Sequence, residues 1–158
     1  MGRIENDETS AVQVLVRRTE GGADLPLPGR ATPGSSGMDL RASLREPVVL
    51  PPGGRALIGT GIAVALPPGW EAQIRPRSGL AAEHGVTLLN SPGTVDSDYR
   101  GEIRLVVVNL GQAPFTIRRG DRIGQLVVAR AASVTLVVVR ELPATGRNAG
   151  GFGHTGRD

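Results

Sequence analysis

Residues 90–102 read Asn-Ser-Pro-Gly-Thr-Val-Asp-Ser-Asp-Tyr-Arg-Gly-Glu. They place the chain's single tyrosine, Tyr99, three residues past the carboxylate of Asp96. Apolar runs flank the segment at residues 86–89 and 103–110. It therefore reads as a loop that turns a carboxylate and an aromatic ring out of a β-framework. A carboxylate held there can act as a general base. The ring beside it can be a flat floor for a sugar or a base. Asp98 is a second candidate base. The same Asp-x-Asp pair can also bind a metal or belong to a solvated turn, so the motif alone is weak.

Other groups suit a phosphate chain. Asp39 lies between the apolar neighbours Met38 and Leu40 at the start of an expected strand. A carboxylate there can orient the waters of a magnesium ion, which keeps several waters and sits on substrate phosphates. It can equally be a turn-capping residue. Arg77, Ser78 and Gly79 open a helical turn expected at residues 80–84 and offer donors to an anion. Ser78 can instead be an ordinary helix cap. It has no evident base, since His84 is six residues on, and no serine nucleophile is expected. Gln125 is an odd choice for a buried strand position without a polar partner. The last residues, 146–156, combine glycines with Arg147, Phe152, His154 and Thr155. Glycine lets backbone N–H groups approach phosphate oxygens, and arginine adds a charged fork.

The elements that must position these residues are short strands. Expected strands are residues 12–17, 48–50, 55–66, 71–75, 86–89, 103–110, 115–117, 122–129 and 134–140, most of them rich in β-branched residues. Pro-Pro-Gly and Gly-Asp turns separate them. Such spacing argues for an all-β sandwich or barrel. With 158 residues the chain makes one domain. Its 39% apolar content against 3% aromatic predicts an aliphatic core, and Trp70 reads as structural. Residues 105–108 and 136–139 are apolar without alternation, as in strands buried on both faces. In so small a chain that suggests cover by another subunit.

Several function classes fall away. Absence of cysteine excludes thiolate chemistry, disulfides and cysteine-based zinc sites. Only two histidines are present, which argues against a histidine metal site. No 18-residue apolar run and no secretion signal are visible, so no membrane association and a cytoplasmic setting are expected. All 18 basic residues are arginine, scattered rather than clustered, and no nucleic-acid partner is expected.

Taken together, the five segments at residues 37–42, 76–81, 90–102, 120–127 and 146–156 resemble, in order, the five motifs of the homotrimeric dUTPase family (deoxyuridine triphosphate nucleotidohydrolases). The resemblance spans roughly residues 11–156. It implies an all-β jelly roll over residues 11–142, after a disordered segment 1–10 and before a flexible glycine-rich arm 143–158. It also implies hydrolysis of dUTP to dUMP and pyrophosphate, which supplies dUMP for thymidylate synthesis and keeps uracil out of DNA. Three subunits would build the active sites at their interfaces.

The resemblance assigns roles as well. Asp96 would activate the water that attacks the α-phosphorus, and Tyr99 would lie under the deoxyribose. Asn90 and the hairpin backbone at Gly93, Thr94 and Val95 would meet uracil. Arg77, Ser78, Gly79 and Gln125 would contact phosphates, and Asp39 would hold a hydrated Mg2+ through water. Arg147, Gly153, His154 and Thr155 would meet the far end of the triphosphate, with Phe152 closing over uracil. The family usually carries a small hydroxyl residue at His154. This departure predicts a mild pH dependence of substrate affinity near neutrality that His154→Ser removes.

Two rivals share this sequence pattern. A dCTP deaminase needs a glutamate about ten positions past Asp96, where this chain has Val106. A catalytically silent nucleotide binder would have little reason to keep Asp96, Tyr99 and Arg147 together.

Overall fold

The computed structural model describes residues 11–150. Ten strands and one short helix follow in order: β1 Leu15–Arg18, β2 Met38–Arg41, β3 Val48–Leu50, β4 Arg55–Ala65, β5 Trp70–Arg75, α1 Ser78–His84, β6 Val86–Leu88, β7 Gly93–Val95, β8 Glu102–Asn109, β9 Phe115–Ile117 and β10 Arg122–Arg130. A single 3-10 turn spans Glu20–Gly22. Two four-stranded antiparallel sheets, ordered β1-β4-β8-β6 and β2-β10-β5-β7, form a jelly-roll sandwich, and β3 pairs with β9 as a small third sheet.

Turn chemistry sets the strand ends. β4 begins after a turn in which Gly54 N–H donates to the Pro51 carbonyl at 2.8 Å. It ends at residues 67–69, where Trp70 N–H donates to the Pro67 carbonyl at 3.2 Å and Gly69 takes a φ of 81°. α1 stops at Gly85, whose left-handed conformation (φ 67°) a side chain would strain.

The core is aliphatic, as the composition predicts. Leu40, Ile58, Ile74, Ile103, Leu105, Val107 and Ile117 are buried between the sheets. Asn109 is the one fully buried polar side chain among the largest core residues. Its Nδ2 donates to the Leu50 and Ala113 carbonyls, both at 2.9 Å, and its Oδ1 accepts from Gly111 N–H at 2.9 Å. Complete satisfaction of the amide makes its burial tolerable. Trp70 packs on the core and carries the Arg130 guanidinium 4.9 Å from its ring centre.

One expectation about the strands changes. Residues 134–140 form no strand. β10 ends at Arg130, and among the described residues no strand edge receives the next segment. Leu136 is 93% exposed and Val138 98%, so this apolar run is uncovered within one chain. In the apolar run at 105–108, Leu105 and Val107 are buried in the core, while Val106 and Val108 share the outer face, where Val108 is buried and Val106 stands part-exposed opposite exposed Leu57.

Candidate active site

The candidate residues fall into two groups on one sheet. The first centres on Asp39. On β2 it stands opposite Gln125 of β10, which in turn stands opposite Arg75 of β5. Asp39 Oδ1 accepts from Gln125 Nε2 at 3.3 Å and forms an ion pair with Arg77 Nε at 3.3 Å. Asp39 Oδ2 accepts from Arg122 Nη1 at 3.0 Å. Arg77 Nη1 also donates to the Arg122 carbonyl at 3.2 Å. Three segments distant in sequence thus meet at one carboxylate that is only 15% exposed. That carboxylate offsets just one of the two guanidiniums, so the group keeps a positive balance suited to a polyanion.

Beside Arg77, the helix start differs from the cap reading. Arg77 occupies the cap position without a side-chain cap bond, and Ser78 is the first helical residue. A Cβ placed on Gly79 would meet nothing within 4 Å. Packing within the chain therefore does not demand glycine there. The bare backbone leaves room for another molecule or subunit.

The second group lines a cavity of about 460 Å³ whose walls include Asn90, Gly93, Thr94, Val95 and Tyr99. β7 pairs with β5, with Gly93 opposite Ile74 and Val95 opposite Ala72. A Cβ on Gly93 would lie 3.2 Å from Asn90 Nδ2, so glycine lets the Asn90 amide rest against the hairpin backbone. Beyond Val95 the chain turns, and Tyr99 N–H donates to the Asp96 carbonyl at 3.1 Å. Tyr99 Oη donates to the Glu102 carbonyl at 3.1 Å. Gly101 lies under the ring, where any Cβ would collide with it. Asp96 is exposed, and among the described residues no ion pair engages its carboxylate.

Asp39 and Asp96 do not meet within one chain. From Asp39 to Asp96 is three strands across the sheet and four residues along it. At normal strand spacing and rise this is about 14 Å by about 13 Å, or roughly 19 Å between backbones. Arg147 belongs to neither group; it follows β10 on an exposed segment and donates to the Gly150 carbonyl at 2.7 Å. Phe152, Gly153, His154 and Thr155 lie outside the described residues, as does the segment 1–10.

Arg122, Gly101 and Glu102 escape the sequence reading. A regular strand would point Arg122 and Gln125 to opposite faces. A bulge between Arg122 and Gly124 brings them to the same one. Gly124 next to Ile123 is the signal that could have marked it.

A dUTPase family model matches residues 23–156. The chain belongs to the dUTPase family. It is 54% identical over 149 residues to a deoxyuridine 5'-triphosphate nucleotidohydrolase of Caulobacter vibrioides, covering 93% of this chain and 96% of that one. It is 53% identical over 146 residues to the corresponding protein of Caldanaerobacter subterraneus, covering 92% and 99%. In structure it resembles the dUTPase of Staphylococcus bacteriophage 80alpha with dUPNHPP. The TM-score is 0.81 and the identity 23%, over 91% of this chain and 98% of that one. A mutant dUTPase of phage phi11 of S. aureus, which coordinates a structural Mg(II) ion, gives a TM-score of 0.73 at 23% identity, over 84% and 99%. The structural likenesses bear on the fold, and the all-β dUTPase jelly roll is the fold observed. Family members hydrolyse dUTP to dUMP and pyrophosphate.

Proposed function

We propose that this dUTPase hydrolyses dUTP to dUMP and inorganic pyrophosphate at sites assembled between copies of itself, with Asp96 as the base. The observation that carries this reading is the separation of two well-formed groups. One has a cavity, an aromatic ring and a free carboxylate. The other has two arginines and a glutamine around Asp39. Asp39 and Asp96 lie roughly 19 Å apart in one chain, too far to hold the orienting carboxylate and the base on one triphosphate together. Facing each other across a subunit boundary, the two groups can do so. Three copies with cyclic symmetry give three such sites.

In this reading Asn90 and the Gly93–Val95 backbone hydrogen-bond uracil. Cytosine would leave those buried groups unpaired and be rejected. The Tyr99 ring lies under the sugar and leaves no room for a 2′-hydroxyl. Asp96 takes a proton from the water that attacks the α-phosphorus. Its basicity need only be modest, because a well-placed water contributes much of the rate. Arg77, Ser78, Gly79 and Gln125 orient the phosphates and spread their charge, and Arg122 adds a second guanidinium. Arg147 with Phe152, Gly153, His154 and Thr155 closes the far end.

Magnesium fits this chain in one way. Among the described residues no cluster of three or more ligating side chains exists, so a cage of protein ligands is not available. Asp39 has about four lone-pair directions; Gln125 and Arg122 take two by hydrogen bonds and the Arg77 ion pair faces a third. The remaining one suits a water on an ion that substrate phosphates ligate directly. When bound, that ion would neutralise phosphate charge. Among the described residues no helix is long and apolar enough to cross a membrane, and a nucleotide substrate suits a cytoplasmic setting.

The test is incubation of the purified protein with magnesium and dUTP, dCTP, dTTP or UTP separately, with products identified by chromatography. The expected result is dUMP and pyrophosphate from dUTP alone. Deamination of dCTP, or dUTP bound without turnover, would contradict the proposal.

A further inference from the structure

We propose that Glu102 is a positioning residue for sugar selectivity, because its carboxylate pegs the turn carrying Tyr99 to the bulge of β4. The inference rests on the reading of Tyr99 as the sugar platform and deepens it.

Glu102 serves two neighbours at once. Its backbone carbonyl accepts the Tyr99 hydroxyl at 3.1 Å. Its side-chain Oε1 accepts from Gly61 N–H at 2.8 Å. The same residue therefore links ring and bulge, and the cavity that holds Tyr99 counts Glu102 among its walls. The β4–β8 ladder shifts register between Gly59 and Ala63, which turns Gly61 N–H away from the ladder and toward the carboxylate. Gly59 makes room for it, and Gly61 holds the bulge close against Gly22. A Cβ on Gly59 would lie 2.7 Å from Glu102 Oε1. Gly61 has a φ of 73°, and its Cβ would strike the Gly22 backbone.

The peg acts on the ring through a short path. Gly101 separates Glu102 from Arg100 and lies directly under the Tyr99 ring. A shift of the Glu102 backbone therefore moves both the hydrogen-bond acceptor of the tyrosine and the floor beneath it. Selectivity against one hydroxyl depends on ring placement at a fraction of an ångström. Loss of the carboxylate also strands a part-buried N–H.

Reach rather than charge is the property at work. Among the described residues the one ionic partner, Arg104 Nε at 3.6 Å from Oε2, is more than half exposed, and such a pair contributes little. An amide oxygen can still accept from Gly61 N–H. An aspartate, one methylene shorter, cannot reach it. Thr60 is the built-in control: its Oγ1 donates to the Ile103 carbonyl at 2.7 Å. It clamps the same bulge to β8 without touching the Tyr99 turn.

The experiment measures the ratio of kcat/KM for dUTP to that for UTP, with thermal melting of each full-length variant. Glu102→Ala and Glu102→Asp should lower the ratio about tenfold. Glu102→Gln should keep it, and Thr60→Val should lower the melting temperature without changing the ratio. If Glu102→Ala fails to fold, Glu102→Asp against Glu102→Gln decides the matter. Tyr99→Ala is measured alongside. A relaxed ratio in Tyr99→Ala with a wild-type ratio in Glu102→Asp overturns the peg alone. An unchanged ratio in Tyr99→Ala overturns the sugar-platform reading and the peg with it. Equal losses in Glu102→Gln and Glu102→Asp would make charge the cause and also overturn the proposal.

Discussion

Arg122 Nη1 lies 3.0 Å from Asp39 Oδ2 because β10 carries an extra residue between Arg122 and Gly124. Without that bulge, the arginine and Gln125 would face opposite sides of the sheet. With it, both converge on Asp39 along with Arg77. The bulge thus turns a strand into a platform with two guanidiniums around one carboxylate.

Removing that second guanidinium should weaken triphosphate binding. Arg122→Ala is expected to raise KM for dUTP about tenfold, the scale of one charge-assisted hydrogen bond. Binding of dUMP, which lacks the β- and γ-phosphates, should change far less. Isothermal titration with the two ligands checks the difference; equal losses for both would place Arg122 outside the phosphate site.

Asp96→Asn should keep the shape of the turn, since the Tyr99 N–H is held by the Asp96 backbone carbonyl rather than its side chain. The general base is lost. Turnover should fall by about 10²- to 10⁴-fold, with dUTP affinity near that of the wild type. Steady-state rates and equilibrium binding test this, and near-normal turnover would move the base elsewhere, first to Asp98.

Asn109 concerns stability rather than chemistry. Asn109→Ala leaves the Leu50 and Ala113 carbonyls and the Gly111 N–H without their partner. Loss of this buried network should cost about 2–4 kcal/mol. Denaturant melts at fixed protein concentration measure it. A loss below about 0.5 kcal/mol, the scale of ordinary surface changes, would mean that water replaces the amide.

Deleting residues 147–158 removes Arg147 and everything after it. Turnover should fall about 10²-fold, since positioning is lost, while the oligomer stays intact. Sedimentation and kinetics on the same sample separate the outcomes. Loss of the oligomer would assign the arm to assembly instead.

Much of this was legible in the sequence because local chemistry decides it. Pro-Pro-Gly turns bracket β4 within a residue of its expected ends, and β3 and β9 match their expected ranges. The Asp96–Tyr99 turn and the aliphatic core were also readable. Strand order was not, because pairing between distant segments leaves no local mark. The sequence therefore did not show that Asp39 meets Arg77 and Gln125 within one chain while Asp96 stays far away. Residues 134–140 look like a strand by composition, yet a strand also needs an edge to pair with. Arg122 was missed because the bulge breaks the period of two on which face assignment rests.

The most direct test mixes two dead enzymes. Asp96→Asn disables one half-site and Arg77→Ala the other. The two variants are unfolded together in equal amounts and refolded, then assayed with dUTP. If sites form between copies, each mixed trimer holds one intact site of three and about three quarters of random trimers are mixed, so about a quarter of wild-type activity should return. A mixture no more active than the two variants refolded separately would mean that each site is built within a single chain, and would contradict the account.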